Sequence, residues 1–221
     1  MSTNLVIGNG STLVNIDDSL NLKDLYWPFV GEANHLSLKT NEMFFYIDGL
    51  LIDLNRDNFL IKTSYLANSL VTRSSATSEL YSLELTFTDL VVYDHDILLR
   101  RIEVQNTFPE YREILVFFKQ NFYMREDDSG NTATWFEPAN IMCHYKKNTY
   151  LGIGLCSKLH EFTCFAPSDN DNRGASPDAL GKLPFNPVST GTTQSCISVA
   201  LNLAGQSRQL IEYFIVCGHN Y

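Results

Sequence analysis

Apolar and polar residues alternate with a period of two through most of the chain, and that pattern predicts strands. Tyr81, Leu83, Leu85 and Phe87 alternate with Ser82, Glu84, Thr86 and Thr88, as in a strand with one face in a core and the other in water. Ile197, Val199, Leu201 and Leu203 do the same against Ser198 and Asn202. Over residues 114–124 both parities are apolar. Ile114, Val116, Phe118 and Phe122 fall on one, and Leu115, Phe117 and Tyr123 on the other, which predicts a central strand covered on both faces. Residues 210–217 have the same character. No run of ten residues carries the i, i+3, i+4 spacing of a helix.

Turn signals separate these runs at short intervals. Asn9-Gly10 and Asp48-Gly49 predict two-residue hairpins, because both central positions of a type I′ turn need positive φ. Phe44-Phe45-Tyr46-Ile47 and Leu50-Leu51-Ile52 flank the second. Ser129-Gly130-Asn131, Asn68-Ser69 and Phe108-Pro109-Glu110 mark further reversals. The expected fold is all-β, a large two-sheet antiparallel sandwich with little or no helix, spanning residues 1–221 as one domain. One segment breaks the rhythm. Residues 166–195 are rich in Pro, Ser, Asp, Asn and Gly and predict a long irregular loop.

Composition narrows the partners. A formal net charge of −9, from 25 acidic and 16 basic side chains, argues against a nucleic-acid phosphate backbone. Neutral substrates such as sugars are compatible with that charge. No apolar run reaches the roughly 18–20 residues that span a bilayer, so no membrane partner is expected. Met1-Ser2-Thr3-Asn4 lacks the charged and apolar regions of a secretory signal, and five cysteines without a Cys-x-x-Cys read as buried reduced thiols. Both features point to the cytoplasm.

Several candidate chemistries fail on spacing. Gly8-Asn9-Gly10 lacks the following helix and third glycine of a nucleotide loop. Asp169-x-Asp171-x-Arg173-Gly174 has Arg at the fifth position of a calcium loop and Leu180 at the twelfth, where a bidentate Glu is needed. Glu126-Asp127-Asp128 reads as a charged hairpin tip. The histidines at 35, 95, 144, 160 and 219 show no metal-ligand spacing, so neither metal nor cofactor is expected. Cys143-His144 and Cys164 raise a thiol nucleophile, which needs a spatial pair and an orienting group. Glycosidic cleavage needs two carboxylates about 5–9.5 Å apart across the bond, and no acidic pair stands out.

What remains is Tyr26, Trp27, Asn34 and His35, crowded around Pro28 and Gly31. Tyr and Trp offer flat apolar faces with a polar handle, and Asn and His add directional hydrogen bonds. Such a cluster suits the end of a sandwich, a domain interface or a sugar site. These four are the candidate substrate-rim or interface residues.

Gly8-Asn9-Gly10-Ser11 with Leu13-Val14-Asn15, then Asp24-Leu25-Tyr26-Trp27-Pro28-Phe29-Val30-Gly31-Glu32-Ala33-Asn34-His35, resembles the opening of prokaryotic glucoamylase-like enzymes of glycoside hydrolase family 15. A second block matches in Arg101-Ile102-Glu103-Val104-Gln105-Asn106 and Val116-Phe117-Phe118-Lys119-Gln120-Asn121-Phe122-Tyr123. It continues through Asp128-Ser129-Gly130-Asn131-Thr132-Ala133, Glu137-Pro138 and His144-Tyr145-Lys146, with weaker echoes in Gly181-Lys182-Leu183 and residues 187–191. Residues 156–178 depart from the pattern, lacking the Gly-Thr-Trp-x-Asp-Ala-Glu-Asp-Gly-like run of many relatives.

The resemblance implies an N-terminal β-sandwich followed, in such enzymes, by an (α/α)6 barrel that carries the two catalytic glutamates of an inverting mechanism on α-glucosidic bonds. The chain ends at Tyr221, after its last predicted strand, so the barrel is expected to be absent and no catalytic residue is assigned. The implied function is a non-catalytic domain that supports the barrel of the same polypeptide and lends a loop to its active-site rim, with an α-glucan oligosaccharide as a further candidate partner. The alternative is a stand-alone carbohydrate-binding sandwich.

Overall fold

The computed structural model describes residues 4–37, 39–127, 129–167 and 174–219. Alternation becomes strand almost throughout. In chain order the strands are β1 (Leu5–Gly8), β2 (Leu13–Ile16), β3 (Leu22–Tyr26), β4 (Glu42–Ile47), β5 (Leu50–Asp53), β6 (Leu60–Tyr65), β7 (Thr72–Ser78), β8 (Leu83–Val91) and β9 (Ile97–Asn106). They continue as β10 (Arg112–Gln120), β11 (Asn131–Phe136), β12 (Ile141–Lys146), β13 (Thr149–Leu155), β14 (Phe162–Phe165), β15 (Val188–Gly191), β16 (Gln194–Leu203) and β17 (Arg208–Gly218). Among the described residues the helical turns are two short 3₁₀ segments, Met124–Glu126 and Glu137–Ala139. None is long and apolar enough to cross a membrane.

The strands form antiparallel sheets: a large one ordered β15-β11-β12-β13-β17-β9-β8-β7-β6, a smaller one ordered β14-β16-β10-β4-β5, and a third, β1-β2-β3. The two large sheets make the expected sandwich, and the β1-β2-β3 sheet is an addition to it. Inward residues of both, including Phe45, Val116, Phe118, Ile197, Phe87, Ile102, Ile153 and Ile215, form one buried core. Aromatic contacts lock the layers together, with Phe118 stacked on Tyr213 at 4.7 Å.

The double-sided apolarity of β10 has a specific cause. Its Leu115 and Phe117 face away from the main core, where Phe44, Cys196, Ala175 and Leu183 bury them in a second cluster. Ala175 and Leu183 belong to the segment expected to be an irregular loop over 166–195. That expectation is corrected at its C-terminal end: Val188–Gly191 is β15, paired with β11, and Gln194 already lies in β16. Residues 174–187 are a strap across the smaller sheet. Leu183 N–H donates to the buried Glu161 carboxylate at 2.7 Å, and Ala175 N–H to Gln194 Oε1 at 3.0 Å. Asp169 and Asp171, of the rejected calcium loop, lie outside the described residues, as does Asp128.

The hairpin signals divide. Asp48 and Gly49 form the two-residue turn as expected, at φ of 51° and 84°, between paired Ile47 and Leu50. Asn9-Gly10 instead opens a four-residue loop, because β1 and β2 close on the Gly8–Leu13 pair. Asn9 Oδ1 accepts the Ser11 and Thr12 N–H groups while its Nδ2 donates to the Val92 and His95 carbonyls. The side chain thus stitches this loop to the β8–β9 turn, which a two-residue turn would not reach. In β17 the inward residues are buried as expected, but the outward Phe214 and Val216 are only half-buried.

Candidate functional site

The four candidate residues lie together where β3 leaves its sheet. An isolated bridge between Tyr26 and Asn34 closes residues 27–33 into a short excursion. Asn34 is its lock. Its Oδ1 accepts the Leu25 and Leu36 N–H groups, both at 3.1 Å, and its Nδ2 donates to Asp24 Oδ1 at 2.6 Å. The Asn34 backbone N–H donates to Glu126 Oε1 at 3.1 Å, joining the excursion to the segment after β10.

His35 makes the second joint. Its Nδ1 accepts the Arg125 N–H at 3.2 Å, so Nε2 carries the hydrogen and donates to the Trp27 carbonyl at 3.1 Å. The backbone adds His35 N–H to Leu25 O and Tyr123 N–H to His35 O, each at 2.7 Å. Burial lowers the His35 pKa, and the Arg125 cation adds to that, although the Trp27 carbonyl and Glu126 act against it. The ring is a neutral structural bridge.

Trp27 is buried, its ring 4.4 Å from that of the exposed His219 and 6.5 Å from that of His35. Its indole N–H is buried without a partner of ordinary hydrogen-bond geometry. It nevertheless lies close enough to Asp96 to act on that carboxylate. Burial pushes the Asp96 pKa up, but Ser11, Trp27, Thr12 and the His219 charge together hold it below the ordinary value. Asp96 accepts the Ser11 and Thr12 hydroxyls, tying this cluster to the β1–β2 loop. Tyr26 is half-buried at the base of the excursion. The tip carries Phe29 and Val30, which are 60% and 55% exposed.

The end of the sandwich is therefore a set of loops fastened to one another, with an apolar tip held outward. Sequence reasoning gathered Tyr26, Trp27, Asn34 and His35 correctly as neighbours but did not single out Phe29 and Val30 from the same stretch. It also missed Asp96, Glu126 and His219 as their supports. The signal for Phe29 and Val30 was available, since two large apolar residues between Pro28 and Gly31 have little room to turn inward.

Just past Trp27, His219 follows the end of β17, where the outer face of the large sheet has an apolar depression of about 230 Å³. Ile141, Cys143, Tyr150, Gly152, Val216 and Gly218 line it. Gly152 and Gly154 let neighbouring side chains lie flat on β13, and a Cβ on Gly154 would sit 2.5 Å from the Phe214 ring.

Cys143 and His144 do not form the thiol–imidazole pair that nucleophilic chemistry needs. Cys143 and His144 are adjacent in β12 and so point to opposite faces, Cys143 outward and His144 into the core. Burial pushes the Cys143 thiol to about 11 and the His144 imidazole down to about 3, so neither is poised to ionise the other. Cys164, also raised by burial to about 12, lies 3.3 Å from the Met142 sulfur. All five cysteines are free; four are buried as expected, and Cys156 is exposed. Among the described residues no group of three or more His, Cys, Asp or Glu is arranged to hold a metal.

No family model matches the chain. An uncharacterized glycosyl hydrolase of Methanocaldococcus jannaschii is 23% identical over 164 residues, 72% of this chain and 25% of that protein. The chain thus spans about a quarter of the length of this curated relative. A bacterial glucoamylase, solved in complex with acarbose, superposes over 96% of this chain and 31% of its own with a TM-score of 0.77 at 10% identity. A protein described as a kojibiose phosphorylase, from the human microbiome, superposes over 96% of this chain and 29% of its own, with a TM-score of 0.53 at 10% identity. An aldose epimerase homologue from Caenorhabditis elegans superposes over the whole of both chains with a TM-score of 0.54 at 7% identity. The fold is a β-sandwich of the kind found within glycoside hydrolase chains, and it occurs elsewhere as a complete chain.

Proposed function

We propose that the chain is the N-terminal, non-catalytic β-sandwich domain of a glucoamylase-like glycoside hydrolase of family 15, acting on α-glucosidic bonds. It packs against an (α/α)6 catalytic domain of the same polypeptide, supports it, and lends residues 27–33 to the rim of its active site. The observation that carries this reading is the division of roles within the excursion. Trp27, Asn34 and His35 hold it from inside, while Phe29 and Val30 stand exposed at its tip. A free sandwich gains nothing by presenting two large apolar side chains on so firmly anchored a loop. Covering them would gain roughly 25 cal/mol per Å² of apolar surface removed from water. The motif resemblance and the M. jannaschii relative, of which the chain spans a quarter, agree with a domain of a larger hydrolase. The compartment in this reading is the cytoplasm, in keeping with five free thiols.

Trp27→Ala is a poor test, because Trp27 is buried and its loss disturbs the domain itself. The better variant is Phe29→Ser with Val30→Ser. In the isolated chain it should leave stability within about 0.5 kcal/mol. In the chain joined to a family 15 barrel it should lower thermal stability or weaken kcat/KM on maltooligosaccharides. Unchanged stability and kinetics in the joined protein refute the interface. Release of glucose by the isolated chain refutes the non-catalytic assignment.

A further inference from the structure

A cleft of about 350 Å³ lies on the outer face of the smaller sheet, and none of residues 27–33 lines it. Glu42 and Phe44 of β4, Leu51 and Asp53 of β5, and Lys119 of β10 contribute from the sheet. Asn21 and Asn55 enter from adjoining turns, and Ser176 from the strap. The volume falls within the roughly 300–1,000 Å³ of small-molecule sites, at the end that suits a single small ring.

The lining is fixed before any ligand arrives. Asn21 sits in a turn whose Asp17 carboxylate accepts the Ser19 and Asn21 N–H groups, both at 2.9 Å. The same turn is held from the core by buried Arg100, which donates to Leu20 O at 2.8 Å and to Asp89 Oδ1 at 2.6 Å. Asn55 Oδ1 accepts the Asp57 and Asn58 N–H groups at 3.0 Å, leaving its Nδ2 without a partner among the described residues. Ser176 is set between Ala175, whose N–H is bonded to Gln194, and Pro177, both buried. Groups held this firmly lose little entropy when they engage a ligand.

The chemistry of the lining selects the ligand. Lys119 is paired with Glu42 at 3.6 Å, so its charge is already met and the Asp53 carboxylate is left to repel an anion. Asn21 borders the cleft while its Oδ1 is buried beneath it, so the acceptors that face the cleft are those of the exposed Asp53. Asn55 Nδ2 and Ser176 Oγ add donors. Half-exposed Leu51 and the edge of Phe44 supply an apolar floor between them. Alternating donors and acceptors around an apolar floor match a ring bearing several hydroxyls and one C–H face.

We propose that this cleft is a binding site for a neutral polyhydroxylated ring, the size of one hexose unit. It stands apart from the domain-interface reading and does not depend on it. A ligand of this size, held by a few polar groups and one small apolar contact, should bind with Kd on the order of 1–10 mM.

The test is a titration of the isotope-labelled chain with D-glucose and with maltose to about 100 mM, well above that Kd. Side-chain amide signals of Asn21 and Asn55 and the backbone signal of Ser176 should shift and saturate. Asp53→Ala, at an exposed position, should weaken the affinity at least about tenfold without changing the melting temperature. Ser176→Ala is the second variant should the first alter folding, and it should weaken binding in the same direction. Absence of saturable shifts with either sugar overturns the proposal, as do shifts confined to other residues or unaltered affinity in both variants. Shifts produced by calcium chloride but not by sugar overturn the choice of ligand.

Discussion

His144 should make the fold acid-sensitive well above the pH at which carboxylates protonate. The imidazole lies between the sheets with Nε2 2.7 Å from Ser195 Oγ; that hydroxyl donates to Gln120 Oε1 at 2.9 Å, and Gln120 Nε2 reaches Tyr213 OH at 3.5 Å. Because the Ser195 hydrogen goes to Gln120, His144 must donate from Nε2, leaving Nδ1 bare, and that atom is buried without a partner. Protonation would place a cation there with nothing to receive it. Burial accordingly lowers the folded pKa from 6.5 to about 3. The unfolded chain takes up the proton first, so this contribution to stability is complete above pH 6.5 and is lost as pH falls from there toward the folded value. Each pH unit in that window removes about 1.4 kcal/mol, so roughly 3 kcal/mol is gone by about pH 4.5. That is a large share of a typical 5–15 kcal/mol total and corresponds to a melting-temperature drop of roughly 6–12 °C. His35, whose pKa is also lowered, acts in the same window, so the two must be separated. Urea unfolding of the wild type and His144→Leu across about pH 7.5 to 4.5 isolates His144, since His35 remains in both. The wild-type curve should fall more steeply below pH 6.5 by roughly 3 kcal/mol at the acid end. Parallel curves refute the assignment of a buried, neutral, singly bonded imidazole.

Other perturbations test separate parts of the structure. Asn9→Ala removes the hydrogen bonds joining the β1–β2 loop to the β8–β9 turn and should cost about 1–3 kcal/mol in urea unfolding. Asp89→Asn strands the Arg100 guanidinium in the core, where its Nε lies 2.6 Å from the carboxylate, and should cost about 3–5 kcal/mol. Gly154→Ala forces the Phe214 ring away from β13 and should destabilise by about 1–3 kcal/mol, visible as a lowered melting temperature. A thiol reagent should label Cys156 quickly in the native protein and the other four cysteines only on unfolding; rapid native labelling of more than one thiol contradicts their burial.

Much of the fold was legible in the sequence because a strand's two faces leave a period-two trace. The Asp48-Gly49 turn was legible because positive φ at two successive positions selects residue types. The Asn9-Gly10 loop was not, because its length follows from bonds to Val92 and His95, more than eighty residues away. The doubled apolarity of β10 correctly predicted cover on both faces but could not name the cover. Only the structure places Ala175 and Leu183 there, from a segment whose composition reads as loop.

The candidate site has the same division, and it bears on the motifs themselves. Asn9, Asn34, His35, Asn106, Gln120 and His144 all fall in the blocks that resemble the glucoamylase-like family, and each holds backbone or core side chains. Asn106 Nδ2 donates to Glu110 O at 2.8 Å and to Ala204 O at 3.3 Å while its Oδ1 accepts the Phe108 N–H at 3.0 Å, joining the β9–β10 turn to the β16–β17 turn. Residue types chosen for such joints are demanding, because a buried amide or imidazole tolerates few replacements that satisfy the same partners. Those residues therefore carry information about the architecture, whereas Phe29 and Val30 stand exposed outside it. A polar motif that looks like chemistry in the sequence is here the scaffold, and the apolar tip it holds outward is the part available to a partner.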